Sequence, residues 1–137
     1  LLQVRFADGF TVRQEIDEQA LMRNVVPCSI QLLIENAIKY NHSGGSVRVS
    51  VAQEPKKLLL RVSDTGCGIP EVYQRSIFQP FFRVDKSRSR EYGGAGLGLS
   101  LVWEIADLHG GSVWVEKSSE KGTTIAVGLP TQQSTKP

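Results

Sequence analysis

Hydrophobic and polar residues alternate along several stretches of the chain, and this two-residue period predicts β-strands. Valine and leucine alternate with polar residues in 46–54 and again in 57–64, which predicts a β-hairpin. A second hairpin is predicted across 112–117 and 123–129, and a short edge strand across 10–16. Two hairpins favour a sheet that is mostly antiparallel or mixed.

Apolar residues at three- and four-residue spacing predict helices between these strands. The first helix opens at Val26-Pro27, because proline suits a first helical turn, and it ends in the polar turn 41–45. The second covers 97–108 and stops at two glycines. A short helix is predicted over 70–77, and residues 1–6 are predicted to finish a helix that begins upstream.

The order of these elements predicts a two-layer α/β sandwich, in which a mixed, mostly antiparallel sheet is covered on one face by about three helices. Residues 10–130 would form this domain. Residues 1–9 would be the end of an upstream helix and a linker, and 131–137 a disordered tail. The chain opens on leucine, so we expect it to be a piece of a longer protein.

Composition narrows the classes of function. The 137 residues carry a net charge of +2, too small to indicate a general nucleic-acid binder. Cys28 and Cys67 form neither a disulfide framework nor a metal-ligand set, and a reducing cytosol is their simplest setting. No apolar run reaches about 18 residues, so no membrane span is predicted.

The strongest candidate chemistry lies between residues 64 and 100. Asp64 ends a predicted strand and is followed by Gly66 and Gly68, so its carboxylate could accept a hydrogen bond from a base amine that the glycines allow to approach. An ordinary strand-ending turn is the alternative. The run 94–100 (Gly-Ala-Gly-Leu-Gly-Leu-Ser) precedes a helix, where free amides can hold phosphate. A dinucleotide-binding βαβ unit and a P-loop do not fit its surroundings.

Two further groups are ambiguous by themselves. Asn36, Lys39 and Tyr40 fall within one turn of the first helix and away from its apolar stripe, as a metal, phosphate and base site would require. Taken by themselves, they are more typical of a solvated helix face. The basic residues of the loop 83–90 would suit a phosphate-facing lid or a solvated loop.

In combination, these motifs resemble the catalytic ATP-binding domain of bacterial sensor histidine kinases, in the superfamily shared with type II topoisomerases, heat-shock chaperones and MutL-type repair proteins. Residues 35–40 are similar to the N box, 64–69 to the first glycine box, 77–83 to the F box and 94–100 to the second glycine box. The closing hairpin, with Gly122-Thr123-Thr124, is similar too.

The resemblance implies a role for each matching residue. Asp64 would read the adenine amine with Tyr40 beside the base, Gly66 and Gly68 beneath it, and Thr123 supporting the carboxylate. Asn36 would hold Mg²⁺ and Lys39 would meet phosphate, so these two are the predicted catalytic residues. The remaining residues expected to line the ATP site are Ile69, Phe82, Arg83, Gly94, Gly96, Leu97, Gly98 and Leu99.

The resemblance also implies the reaction and the partners. The γ-phosphate of Mg–ATP would pass to a histidine on the parent's own dimerisation domain, absent from this chain, and then to a response regulator receiver domain. The parent would be a homodimer and a membrane-anchored sensor, with this domain in the cytoplasm, in contact with neither nucleic acid nor membrane.

One position departs from the family. Many sensor kinases carry a second Asn four residues before Asn36, and the hydrolysing ATPases carry a Glu there, whereas this chain has Leu32. An aliphatic side chain cannot activate water, which disfavours ATP hydrolysis as the main activity. The alternatives are an ATP-binding pseudokinase or regulatory module, a serine protein kinase of the same fold and, most weakly, a nucleic-acid binder.

Overall fold

In the computed structural model, which describes residues 2–5, 11–16, 27–82 and 98–131, six strands form one sheet. The strands are β1 (Leu2–Arg5), β2 (Thr11–Ile16), β3 (Ser46–Gln53), β4 (Lys57–Asp64), β5 (Ser112–Ser119) and β6 (Gly122–Pro130). The helices described are α1 (Pro27–Lys39) and α2 (Gly98–Leu108), with two 3₁₀ turns, Glu71–Tyr73 and Ser76–Phe78.

The strands follow the order β1-β2-β3-β4-β6-β5 across the sheet. The β2–β3 pair is parallel, while the β1–β2, β3–β4, β4–β6 and β5–β6 pairs are antiparallel. The parallel pair follows from α1, which lies between β2 and β3 in the chain and provides the crossover that such strands need. The prediction of a mixed, mostly antiparallel sheet is therefore confirmed.

Both helices pack on one face of this sheet. Alternate residues of β3, β4 and β6 point into that layer, as the two-residue period predicts. The core between sheet and helices consists of aliphatic residues: Leu33, Ala37, Val47, Val49, Val51, Leu58, Leu60, Val62, Val102, Ala106, Val113, Ile125, Val127 and Leu129. The two-layer α/β sandwich predicted from the sequence is thus the observed architecture, and none of the described helices is long and apolar enough to cross a membrane.

Two local predictions were wrong. Residues 2–5 form a strand paired antiparallel with β2, not a helix end. Four residues are too few for periodicity to separate helix from strand, so pairing with β2 decides the outcome. Within 70–77, the bonds from the Tyr73 N–H to the Pro70 carbonyl and from the Gln74 N–H to the Glu71 carbonyl span three residues. The chain therefore winds into 3₁₀ turns rather than an α-helix.

Candidate functional site

The loop that follows β4 is fastened to the end of α1. The Thr65 hydroxyl donates to Asn41 Oδ1 at 3.0 Å and accepts the Ser46 N–H at 2.9 Å. The Asn41 amide in turn donates to the Ser46 carbonyl at 2.9 Å. These bonds hold the last turn of α1, which carries the predicted N box, beside Asp64.

Asp64 uses one of its carboxylate oxygens for main-chain hydrogen bonds. Its Oδ1 accepts the Gly66 N–H at 2.9 Å and the Thr123 N–H at 3.2 Å. No described residue donates to Oδ2, so this oxygen remains available to a ligand. Burial has the largest effect on the Asp64 carboxyl and raises its pKa, while the two amide hydrogen bonds act in the opposite direction.

The two glycines after Asp64 are required by close backbone approaches. A Cβ on Gly66 would lie 2.6 Å from the Tyr40 carbonyl oxygen, closer than real contacts allow. Gly68 has a φ of +81°, and a Cβ there would collide with the carbonyl oxygen of Ser119. At these two glycines the backbone of the loop therefore packs directly against the residue that follows α1 and against the β5–β6 hairpin. The predicted position of both glycines beneath a base stays a prediction.

The β5–β6 hairpin supports the other end of the loop. The Ile69 N–H donates to Ser118 Oγ at 2.8 Å, and that hydroxyl is 2.8 Å from Thr123 Oγ1. The Thr123 side chain is buried. Thr123 contacts Asp64 through its main-chain N–H and not through its hydroxyl. Its role in supporting an adenine-binding carboxylate stays a prediction.

The predicted site residues at the end of α1 and just after it are partly accessible. Asn36 and Lys39 are half-buried and Tyr40 is exposed. Leu32, one turn before Asn36, packs against the core. No cluster of three or more His, Cys, Asp or Glu side chains occurs in the parts of the chain that the structure describes. Asn36, the one metal ligand that the sequence predicts, lies within the described part of α1.

Of the remaining predicted site residues, the structure describes Phe82, Gly98 and Leu99. The Phe82 ring contacts the Tyr73 ring at a centroid distance of 5.7 Å. Gly98 opens α2 and Leu99 packs against the core. Arg83, Gly94, Gly96 and Leu97 lie outside the described residues.

Three residues that organise the site were missed by the sequence interpretation: Asn41, Thr65 and Ser118. A hydroxyl directly after Asp64 and an Asn directly after a helix are local features that favour side-chain capping of turns. They could have drawn attention to the first two. Ser118 bonds a residue 49 positions away, and no local pattern marks it.

Comparison with known proteins gives the same family as the sequence motifs. Residues 29–133 match the family described as histidine kinase-, DNA gyrase B-, and HSP90-like ATPase. The sensor histidine kinase WalK of Bacillus subtilis is 44% identical over 100 residues, which cover 72% of this chain and 16% of WalK. The circadian input-output histidine kinase CikA of Synechococcus elongatus is 41% identical over 105 residues, covering 77% of this chain and 14% of CikA.

Solved structures agree with these relatives. The catalytic domain of the histidine kinase ThkA superposes with a TM-score of 0.74 at 27% identity, covering 92% of this chain and 83% of that domain. The mycobacterial sensor histidine kinase MprB superposes with a TM-score of 0.69 at 26% identity, covering 89% of this chain and 84% of that one. The chain thus spans about one-sixth of the curated relatives above, but most of these solved domains. The resemblance predicted from the motifs is confirmed.

Proposed function

The chain belongs to the histidine kinase-, DNA gyrase B-, and HSP90-like ATPase family, and we propose that it is the ATP-binding catalytic domain of a two-component sensor histidine kinase. The observation that carries the proposal is Asp64, whose Oδ1 is held by two amides while Oδ2 has no donor from the described residues. The adenine amine is the donor that this oxygen would accept. The identity with WalK and CikA supports the kinase assignment.

The adenine would lie against the loop 64–69. Gly66 and Gly68 carry no side chain that could block the base, and the backbone of this loop is anchored at both ends by hydrogen bonds. The Tyr40 backbone lies against Gly66, and Ile69 is the last residue of the loop, so we expect both residues to line the pocket. This arrangement recognises a base by one acceptor and by shape.

The phosphates would lie toward α1 and the start of α2. Asn36 offers one neutral oxygen, which fits a Mg²⁺ that takes its other ligands from phosphate and water. When bound, Mg²⁺ supplies charge neutralisation on the phosphates. Lys39 adds a second positive charge. The backbone amides of 94–99, together with Phe82 and Arg83, would complete the phosphate end.

Phosphoryl transfer then needs an acceptor outside this chain. A histidine ring nitrogen of the parent's dimerisation domain would attack the γ-phosphorus as the bond to the β,γ-bridging oxygen breaks and ADP leaves. Such transfer depends mainly on positioning and electrostatics, so Leu32 in place of a base is compatible with it. Neither His42 nor His109 lies within a helix as such an acceptor would, because His42 follows the end of α1 and His109 follows the end of α2.

The direct test has two parts. Titration calorimetry of the chain with Mg–ATP should detect binding, and omission of Mg²⁺ should weaken it more in the wild-type chain than in Asn36→Ala. Adding the parent's purified dimerisation domain and γ-labelled ATP should then yield acid-labile phosphate on that domain. Absence of any heat with Mg–ATP would refute the proposal.

A second candidate is an ATP-binding regulatory module that transfers no phosphate. Leu32 favours it, because a side chain packed against the core cannot contact metal or phosphate as a polar residue would. ATP binding without label on the dimerisation domain would select this candidate. Acid-stable label would instead indicate a serine kinase.

A further inference from the structure

The loop 64–69 is joined to the β5–β6 hairpin at both ends, and one hydroxyl links the two junctions. At one end the Ile69 N–H donates to Ser118 Oγ at 2.8 Å. At the other, the Thr123 N–H donates to Asp64 Oδ1 at 3.2 Å. The Ser118 and Thr123 hydroxyls are 2.8 Å apart and bonded to each other. Together with the loop itself, these hydrogen bonds therefore form a closed ring of contacts.

The hairpin backbone also touches the loop directly. Gly68 has a φ of +81° and lies against the Ser119 carbonyl, and Gly122 has a φ of +143° and lies against the Asp64 carbonyl. A side chain at either glycine would collide with these oxygens. The hairpin end 118–123 is thus the surface against which the loop takes its shape.

We propose that Ser118 is a positioning residue for base recognition, and that it sets the preference for a 6-amino purine over a 6-oxo purine. Two bonds to Oδ1 restrict the rotation of the Asp64 carboxylate, which leaves Oδ2 pointing in one direction. One of those bonds comes from Thr123, whose hydroxyl is held by Ser118. This inference rests on the proposed function and names the residue that tunes its selectivity.

Removing the Ser118 hydroxyl would open the ring at two bonds. The Ile69 N–H loses its acceptor and Thr123 Oγ1 loses its partner, so both ends of the loop gain freedom. Asp64 keeps its charge and its bond from the Gly66 N–H, but the Thr123 residue that donates the second bond is held less firmly, so the orientation of Oδ2 is less well defined. A ligand whose amine needs that orientation suffers most, and a ligand that makes no such bond suffers little.

The experiment measures the dissociation constants of Mg–ATP and Mg–ITP for the 137-residue chain and three variants. Ser118→Ala removes the hydroxyl, and Ser118→Thr keeps one. Ser119→Ala is the matched control, since the Ser119 hydroxyl accepts the Lys121 N–H within the hairpin turn. Circular dichroism checks that each variant is folded. The backbone amide NMR signals of Ile69 and Thr123, recorded without nucleotide, report whether the hydrogen bonds of this ring are intact.

We expect Ser118→Ala to weaken ATP binding about three- to tenfold, the worth of one ordinary hydrogen bond, and to leave ITP binding unchanged. Ser118→Thr should restore the ATP/ITP ratio, and Ser119→Ala should not alter it. An equal loss for both nucleotides, or no loss for either, would overturn the positioning role while leaving the proposed function intact. A wild-type chain that bound neither nucleotide would overturn both.

Discussion

Replacing Asp64 by asparagine should change which base the site accepts, because it exchanges one atom and preserves the surrounding hydrogen bonds. In the Asp64→Asn variant, Oδ1 can still accept the Gly66 and Thr123 N–H groups, now 2.9 and 3.2 Å away. The amide nitrogen must then occupy the place of Oδ2. The group facing the ligand turns from an acceptor into a donor.

The size of the effect follows from the bonds involved. A hydrogen bond to a charged group is worth roughly 1.5–3 kcal/mol, so ATP affinity should fall by at least about tenfold. The 6-oxo group of ITP accepts where the adenine amine donates, and it gains a neutral bond of roughly 0.5–1.5 kcal/mol. The preference for ATP should therefore be lost or reversed, not merely weakened.

The assay is competition between ATP and ITP for the wild-type chain and Asp64→Asn, with Asp107→Asn as the matched control on the exposed surface of α2. Asp107→Asn should behave as wild type. If Asp64→Asn lost both nucleotides equally, the carboxylate would act through general electrostatics. If it kept full ATP affinity, the idea that Oδ2 reads the base would be refuted.

The same substitution should leave stability in neutral solution unchanged or increase it. Because burial raises the pKa of Asp64 in the folded state, the folded chain takes up this proton more readily than the unfolded chain. The stability contributed by the protonated carboxyl is present below the unfolded pKa and lost as pH rises through the folded pKa. Asp64→Asn should therefore match or exceed the wild-type melting temperature at pH 7, and this advantage should shrink as pH falls through the folded pKa. A lower melting temperature at pH 7 would contradict this reasoning.

Two further predictions concern the scaffold. Leu33→Ala, at a side chain that is 1% exposed, should lower the free energy of unfolding in urea by about 2–5 kcal/mol. Leu108→Ala, at a side chain that is 80% exposed, should change it by less than about 0.5 kcal/mol. Equal effects would show that Leu33 is not part of the core. Gly68→Ala should lower the melting temperature, since a Cβ there meets the hairpin backbone at positive φ, while Gly98→Ala, with nothing within 4 Å, should not.

Elements defined by local periodicity were predictable from the sequence. Strands β3 to β6 and both long helices combine alternation or helical spacing with clear stops, so burial and local pattern agree along them. Strand β1 was not predictable. It has four residues and takes its conformation from pairing with β2, a contact that periodicity within so short a stretch cannot reveal.

The candidate site also combines features that the local sequence predicts with contacts between distant residues that it does not predict. Asp64 and its glycines are adjacent in the chain, so their spacing identified them as candidates for base recognition. In the proposed site, the oxygen of Asp64 that faces a ligand would depend on the Thr123 N–H, 59 residues away, and on Ser118, which is bonded to the Thr123 hydroxyl. In the proposed site, selectivity for a base would therefore depend on the hairpin as well as on the motif. A chain that kept every motif but altered residue 118 would be expected to bind nucleotide and to discriminate less between bases.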